Sequence, residues 1–354
     1  MLLRILLDCD FFEINSEFYV MKYFLYILLL SVAILNSYAG SQAACGQHLD
    51  FDSLCPTVHD PVMARGDDGR YYIFSTGMGL GMMSSADMVT WRKEPAPLFP
   101  YPQWPLEYVP SYRGHTWAPD IIRHNDLWYL YYSCSTFGKN ISAIGVAVNN
   151  TLNPSSPEYR WIDKGLVIAS APGVNNWNAI DPNVVFDAGG SAWLTFGSFW
   201  DGIQLVRLGE DMKTPESAPT TIARRHKHLA DTTHRPVPNA IEAPFIVYND
   251  GYYYLFVSHD YCCKGLKSNY KTVVGRSREI VGPYYDKNGC DMACGGGTLL
   301  VGKSVKYSGV GHCSVYKFDE KWYFVAHGYN RERKGASTLF IRRLMWIDGW
   351  PVIM

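Results

Sequence analysis

The sequence predicts an all-β fold, a five-bladed β-propeller, on three observations. Five short polar motifs recur at near-equal spacing: His59-Asp60-Pro61, Trp117-Ala118-Pro119-Asp120, Ile180-Asp181-Pro182, Glu242-Ala243-Pro244 and Gly311-His312-Cys313. Asp60, Asp120, Asp181, Glu242 and His312 follow one another at intervals of 60, 61, 61 and 70 residues. After each motif comes a turn and then an aromatic strand, and a long period built from such hairpins is the mark of blades set around an axis. Composition agrees: 15% of residues are aromatic, with 31 glycines and 20 prolines, which favours strands and turns. No long stretch carries a clean helical period. A β-sandwich pair or a jelly roll would leave a period near 60 residues unexplained.

The elements follow in order. Met21-Lys22 precedes an uncharged apolar run, Tyr23 to Leu35, with small residues at Ser37 and Ala39. This reads as a signal peptide over residues 21–39, since 13 apolar residues are short for a membrane span. Residues 1–20 are a doubtful N-terminal extension, because Asp8, Asp10, Glu13 and Glu17 stand where a leader should be basic. Residues 40–354 read as one propeller domain, uniform in composition. Within it, Asp68-Gly69, Asn125-Asp126, Gly189-Gly190, Asp250-Gly251 and Asp319-Glu320 turn the chain into five aromatic strands. Runs such as Tyr252-Tyr253-Tyr254-Leu255-Phe256-Val257 are almost continuously apolar, as expected of strands covered on both faces. The net charge of −1 gives no electrostatic support for nucleic-acid or anionic-membrane binding. Of nine cysteines, eight follow the leader, an even number that permits disulfides in a secreted chain. Cys45/Cys55 and Cys290/Cys294 are near enough in sequence to pair, and Cys262-Cys263 are adjacent. Asn140 and Asn149 begin glycosylation sequons.

A radial fold aims one motif residue per repeat at a shared axis. Asp60, Asp181 and Glu242 would then meet. Glycosidic hydrolysis needs an acid for the leaving oxygen and a carboxylate to activate water or attack carbon. A third carboxylate can hold the acid and raise its pKa. Any one of these carboxylates alone reads better as a strand cap, but three in matching frames reverse that preference. His312 occupies the fifth slot, where an imidazole could bind a cation or bond to a catalytic carboxylate. Asp120 reads as structural, with Trp117 beside it as a sugar platform. Trp117, Phe137, Trp177, Phe199 and Trp200 could stack on sugar faces, although most aromatics of the chain serve packing.

These motifs resemble those of the glycoside hydrolase family 43 endo-α-1,5-L-arabinanases, over about Val58 to Val352. The segments carrying the resemblance include Val58-His59-Asp60-Pro61, Ser135-Thr136-Phe137-Gly138, Asn178-Ala179-Ile180-Asp181-Pro182, Gly197-Ser198-Phe199-Trp200 and Glu242-Ala243-Pro244-Phe245. The resemblance implies an enzyme that cleaves internal bonds of arabinan and arabino-oligosaccharides with inversion; with the leader it is expected to be secreted, extracellular or periplasmic, and monomeric. It implies Asp60 as general base, Glu242 as general acid and Asp181 as the residue that orients and tunes the acid. It places Gly138, Asn178, Ala179, Ile180, Ser198, Phe199 and Trp200 against substrate, where Trp117 and Phe137 are expected to join them as aromatic faces, and His312 beside a largely water-coordinated calcium. The fifth motif departs from the family pattern, reading Gly-His-Cys where Gly-His-Asn is expected. The alternatives are an exo-acting arabinofuranosidase or β-xylosidase of the same family, or a catalytically silent sugar-binding propeller.

Overall fold

The computed structural model describes Phe51, residues 55–226 and residues 239–354. The expected extension, leader and Cys45 lie outside these residues. The strands form five antiparallel sheets, four of them four-stranded and one five-stranded. The inner strands of the blades are Val62–Arg65, His115–His124, Asn183–Phe186, Ile241–Asn249 and Tyr307–Phe318. Each is followed outward by the aromatic strand: Tyr71–Ser75, Leu127–Ser135, Ala192–Phe196, Tyr252–His259 and Lys321–Asn330. Gly77–Met78 leaves the first blade and pairs with Thr116 and His115 of the second, giving that sheet its extra strand. The ring is tied at its ends by the segment before Asp60. Thr57 bridges to Thr338, Val58 N donates to Ser337 O at 3.2 Å, and Leu339 N donates to Pro56 O at 2.9 Å.

The core is not one mass but five seams. Phe74 and Tyr132 fill the first, between blades one and two. Tyr131 and Phe196 fill the second, Leu205 and Leu255 the third, Phe256 and Phe324 the fourth, and Val325 and Ile73 the fifth. Neighbours along one aromatic strand serve opposite seams, Tyr131 and Tyr132 being a clear pair, because successive side chains point to opposite sheet faces. That is why these strands read as continuously apolar. Burying each such side chain stabilises by roughly 1.5–3 kcal/mol.

Two sequence readings change here. Cys134 and Cys313 are buried in different seams, and Cys290 and Cys294 are free rather than joined, so the even cysteine count does not describe a fully paired set. The sequon residue Asn140 is only 3% exposed, and its amide donates to Asn175 O and Trp177 O, which leaves nothing for a glycan. Among the described residues, no helix is long and apolar enough to cross a membrane.

Candidate active site

The backbone sets the frame of the site. Each blade carries one non-glycine residue in the left-handed region at the axial end of its inner strand: Asp60 (φ 54°), Ala118 (35°), Asp181 (58°), Ala243 (54°) and His312 (50°). Such residues are held there by tertiary structure. Their amides show what holds them. Ala118 N donates to Thr76 Oγ1 at 2.9 Å, Asp181 N to Ser133 Oγ at 3.1 Å, His312 N to Ser258 Oγ at 2.8 Å and Asp60 N to His327 Nδ1 at 3.1 Å. Every acceptor belongs to the aromatic strand of the preceding blade or the residue just after it. The strand registers put Gly197 at the matching place in blade three. With no side chain there, Ala243 N donates instead to Asp181 Oδ2 at 3.1 Å. The break in the five-fold rule therefore ties Asp181 to the residue next to Glu242.

This frame corrects the one drawn from the motifs. Asp60, Asp181 and His312 are equivalent, but Ala118 and Ala243 fill the other two slots. Asp120 lies two residues further along its strand, one layer below. There it accepts from Val184 N at 2.7 Å and Asn183 Nδ2 at 3.3 Å, joining blades two and three. Burial pushes its pKa up to about 7. Its expected structural part agrees with this. Glu242 stands one residue ahead of its slot and bridges to Ser198.

Gly197 has φ 128°, and a Cβ there would stand 2.5 Å from Gly202 O. Gly197→Ala is expected to destabilise by about 1–3 kcal/mol, read as a fall in the urea midpoint, and to depress turnover by moving Ser198.

Asp60 is 7% exposed. Its Oδ1 meets His59 Nδ1 at 2.8 Å and His312 Nδ1 at 2.9 Å, and its Oδ2 accepts from Thr76 Oγ1 at 2.6 Å. Burial alone would raise its pKa, but His312 and His59 outweigh it and hold the carboxyl well below the usual range. His312 is the counterpart. Burial disfavours its charge, yet Asp60 and Asp181 lift its pKa to about 9. The signs agree: the pair stabilises the fold fully between the ordinary carboxylate and imidazole ranges, and its contribution is lost as pH rises to about 9.

A chain of hydrogen bonds reaches Asp60 from outside. His327 Nδ1 accepts from the Asp60 amide, so its Nε2–H donates to Tyr329 Oη at 3.2 Å. Cys263 N also donates to Tyr329 Oη, at 2.6 Å. Both lone pairs of that oxygen are then used, and its hydrogen faces His59 Nε2 at 3.0 Å. His59 in turn donates from Nδ1 to Asp60. Burial pushes His59 toward neutrality, and Asp60 and Cys263 push its pKa the other way and prevail in that balance. The bond count decides for the neutral ring, because a second ring proton would bring a third donor to an oxygen with two lone pairs.

Glu242 is 8% exposed; Oε1 accepts from Tyr270 Oη at 2.7 Å and Oε2 from Ser198 Oγ at 2.8 Å. Burial raises its pKa, with Asp60 adding to the rise. Asp181 is also raised, first by burial and then by Glu242 and Asp60, with His312 opposing. The site thus holds one carboxylate kept ionised, Asp60, and a neighbouring pair that favours retaining a proton. That separation is what acid–base chemistry requires.

Of the other residues singled out in the sequence, Phe137 is 78% exposed, Gly138 sits at φ 74°, and Trp117, Phe199 and Trp200 are partly exposed. Phe199 packs against Tyr261 with centroids 6.0 Å apart. Asn178 is buried and accepts from Ser142 Oγ at 2.6 Å, Ile180 is buried, and Ala179 is fully enclosed in the second seam, where its side chain reaches no ligand. Tyr270, Thr76, His327 and Tyr329 escaped the sequence reading. His327 and Tyr329 sit within an aromatic strand that reads as core, and the other two lie in no motif. His312 Nδ1 is committed to Asp60; in the neutral ring Nε2 is left for a ligand, so a cation there would take the place of the second ring proton. With three carboxylates nearby, the donor set is rich in oxygen and fits a hard cation such as calcium. His59, Asp60 and His327 also cluster, with ligand atoms within 4.8 Å, but they are bonded within the chain just described.

A propeller whose centre holds one ionised carboxylate and a carboxyl pair that retains a proton, with partly exposed Trp117, Phe199 and Trp200 next to its motifs, defines a glycosidase-type hydrolase. The comparisons give the family: the description of glycosyl hydrolases family 43 matches residues 55–351, and the chain belongs to that family. It is similar to an extracellular exo-α-(1→5)-L-arabinofuranosidase of Cellvibrio japonicus, 46% identical over 84% of this chain and 86% of that protein. It is similar to an extracellular endo-α-(1→5)-L-arabinanase of Bacillus subtilis, 38% identical over 88% of this chain and 95% of that protein. A solved structure of an exo-1,5-α-L-arabinanase from a bovine ruminal metagenomic library is 58% identical, with a TM-score of 0.81, covering 87% of this chain and all of that one.

Proposed function

We propose that this protein is a secreted enzyme that hydrolyses α-1,5-L-arabinofuranosidic bonds of arabinan with inversion, working from a chain end. The arrangement of Asp60, Asp181, Glu242 and His312 is the observation that carries the chemistry. Asp60 takes a proton from the attacking water; Thr76, His59 and His312 fix its oxygens. Glu242 delivers its proton to the leaving oxygen, held by Tyr270 and Ser198. Asp181 holds the Ala243 amide and keeps Glu242 protonated. Exposed Phe137 and partly exposed Trp117, Phe199 and Trp200 offer faces for sugar rings. The exo mode is supported by the relatives 58% and 46% identical, both named as exo enzymes. Internal cleavage is the second reading, supported by the Bacillus subtilis relative and by the Ser-Thr-Phe-Gly and Gly-Ser-Phe-Trp segments. Product analysis on linear arabinan separates them: one short product from the outset indicates action from an end, and a ladder of oligomers indicates internal cleavage.

Calcium held at His312 Nε2, with water completing its shell, belongs to this proposal. Bound there, it would supply positive charge facing the carboxylates. Exhaustive chelation is expected to lower both turnover and melting temperature, with added calcium restoring them. His312→Ala should lose that response.

A further inference from the structure

The segment from His259 to Lys271 in the fourth blade carries Cys262 and Cys263 side by side. Both are free thiols in the structure, but their sulfurs are only 2.7 Å apart, inside the ~3.5–4.0 Å at which unbonded carbon atoms rest. Cys263 is exposed and Cys262 half-buried, so a soluble oxidant reaches the pair. Cys263 is held in the left-handed region, at φ 58°. In that conformation its amide donates to Tyr329 Oη at 2.6 Å, and its sulfur lies 3.7 Å from His59 Nε2. Tyr329 passes the contact on to His59 and His327, and both of these bond to Asp60. On the same loop, Tyr261 packs against Phe199 and lies under Lys264 Nζ at 3.8 Å. The cysteine pair is therefore the outer end of a chain that finishes on the carboxylate assigned to water.

We propose that Cys262 and Cys263 are joined as a vicinal disulfide that locks the Cys263 amide onto Tyr329, making the pair a positioning element for Asp60. The inference rests on the arabinan-hydrolase reading above. Bond formation needs a disulfide-bearing oxidant, such as oxidised glutathione or a dithiol oxidoreductase. One thiolate attacks the oxidant's disulfide and expels a thiol. The neighbouring thiolate then displaces the second, so the oxidant gains two electrons and two protons as the Cys262–Cys263 bond forms. With the bond closed, the left-handed backbone at Cys263 is imposed covalently. With it open, only the hydrogen bond to Tyr329 holds that backbone, so the loop is freer to leave it and the Tyr329 hydrogen is less firmly directed at His59.

The test uses the mature protein carrying Cys290→Ser and Cys294→Ser, which removes the other exposed thiols among the described residues. Purified without reductant, denatured and alkylated, the peptide holding Cys262 and Cys263 should be unalkylated and lighter by two hydrogens. After phosphine reduction it should accept two alkyl groups. Reduction of the folded enzyme should lower kcat/KM on arabino-oligosaccharides about ten-fold, chiefly through kcat. It should also move the acidic limb of the pH profile, and oxidised glutathione should reverse both changes. Cys262→Ser/Cys263→Ser should behave as the reduced enzyme and ignore the reductant. If that variant does not fold, the reduction and reoxidation cycle stands alone as the test. Alkylation of both cysteines without prior reduction would overturn the proposal, and so would unchanged kcat and pH profile on reduction. The mass measurement needs no substrate, so failure of the disulfide and failure of the arabinan reading are told apart.

Discussion

Glu242→Gln is expected to reduce hydrolysis of arabinan by about 10²–10⁴-fold with little change in stability. The amide keeps the size of the side chain, and its oxygen still accepts from Tyr270 Oη or Ser198 Oγ. What it loses is the proton for the leaving oxygen. An aryl arabinofuranoside with an acidic phenol leaves without that proton, so the variant should keep most of its rate on such a substrate. Asp60→Asn should fail on both substrates, because water activation is needed whatever leaves. In the wild type, Glu242 acts only when protonated, and its pKa is raised, first by burial. Activity is therefore lost as pH rises through that raised value. The depressed pKa of Asp60 keeps the acidic limb low. Steady-state kcat/KM against pH on the two substrates checks all of this.

Asp181→Ala is expected to have the next largest effect, and to act twice. The Ala243 amide loses its only assigned acceptor in a buried place, which costs about 1–3 kcal/mol. The backbone beside Glu242 loosens with it, and misplacing an acid by an ångström can cost about 10²-fold in rate. Asp181→Asn separates the two effects. It retains an oxygen for Ala243 and should recover most of the stability. It cannot carry the negative charge that resists ionisation of Glu242, so the alkaline limb should move to lower pH. Urea midpoints and pH profiles of the two variants distinguish these outcomes. An unchanged alkaline limb in Asp181→Asn would remove the tuning role.

Much of this was legible in the residues, because the propeller repeats its chemistry. Turn residues, aromatic strands and the polar motifs recur with the period of the blade, and each aromatic strand feeds two seams. Asp60, Asp181 and His312 were found at equivalent places since their slots coincide with their motifs. The frame went astray at Asp120 and Glu242. Spacing measured on polar residues cannot see that alanine occupies the left-handed slot in blades two and four. The backbone conformation that marks the slot leaves no trace in an alanine. Gly197 was equally silent: its role is to withhold a side chain, so that Asp181 takes the vacant amide. Tyr270, just ahead of the strand Lys271–Ser277, and His327, within an aromatic strand that reads as core, act through tertiary contacts, and no local pattern separates them from packing residues.

The most direct test of the central claim is the anomeric configuration of the first product, followed by proton NMR before mutarotation. If Asp60 activates water while Glu242 protonates the leaving group, an α-linked substrate yields the β-anomer first. Initial release of the α-anomer would mean that a carboxylate attacks carbon, and would contradict the roles assigned to both residues.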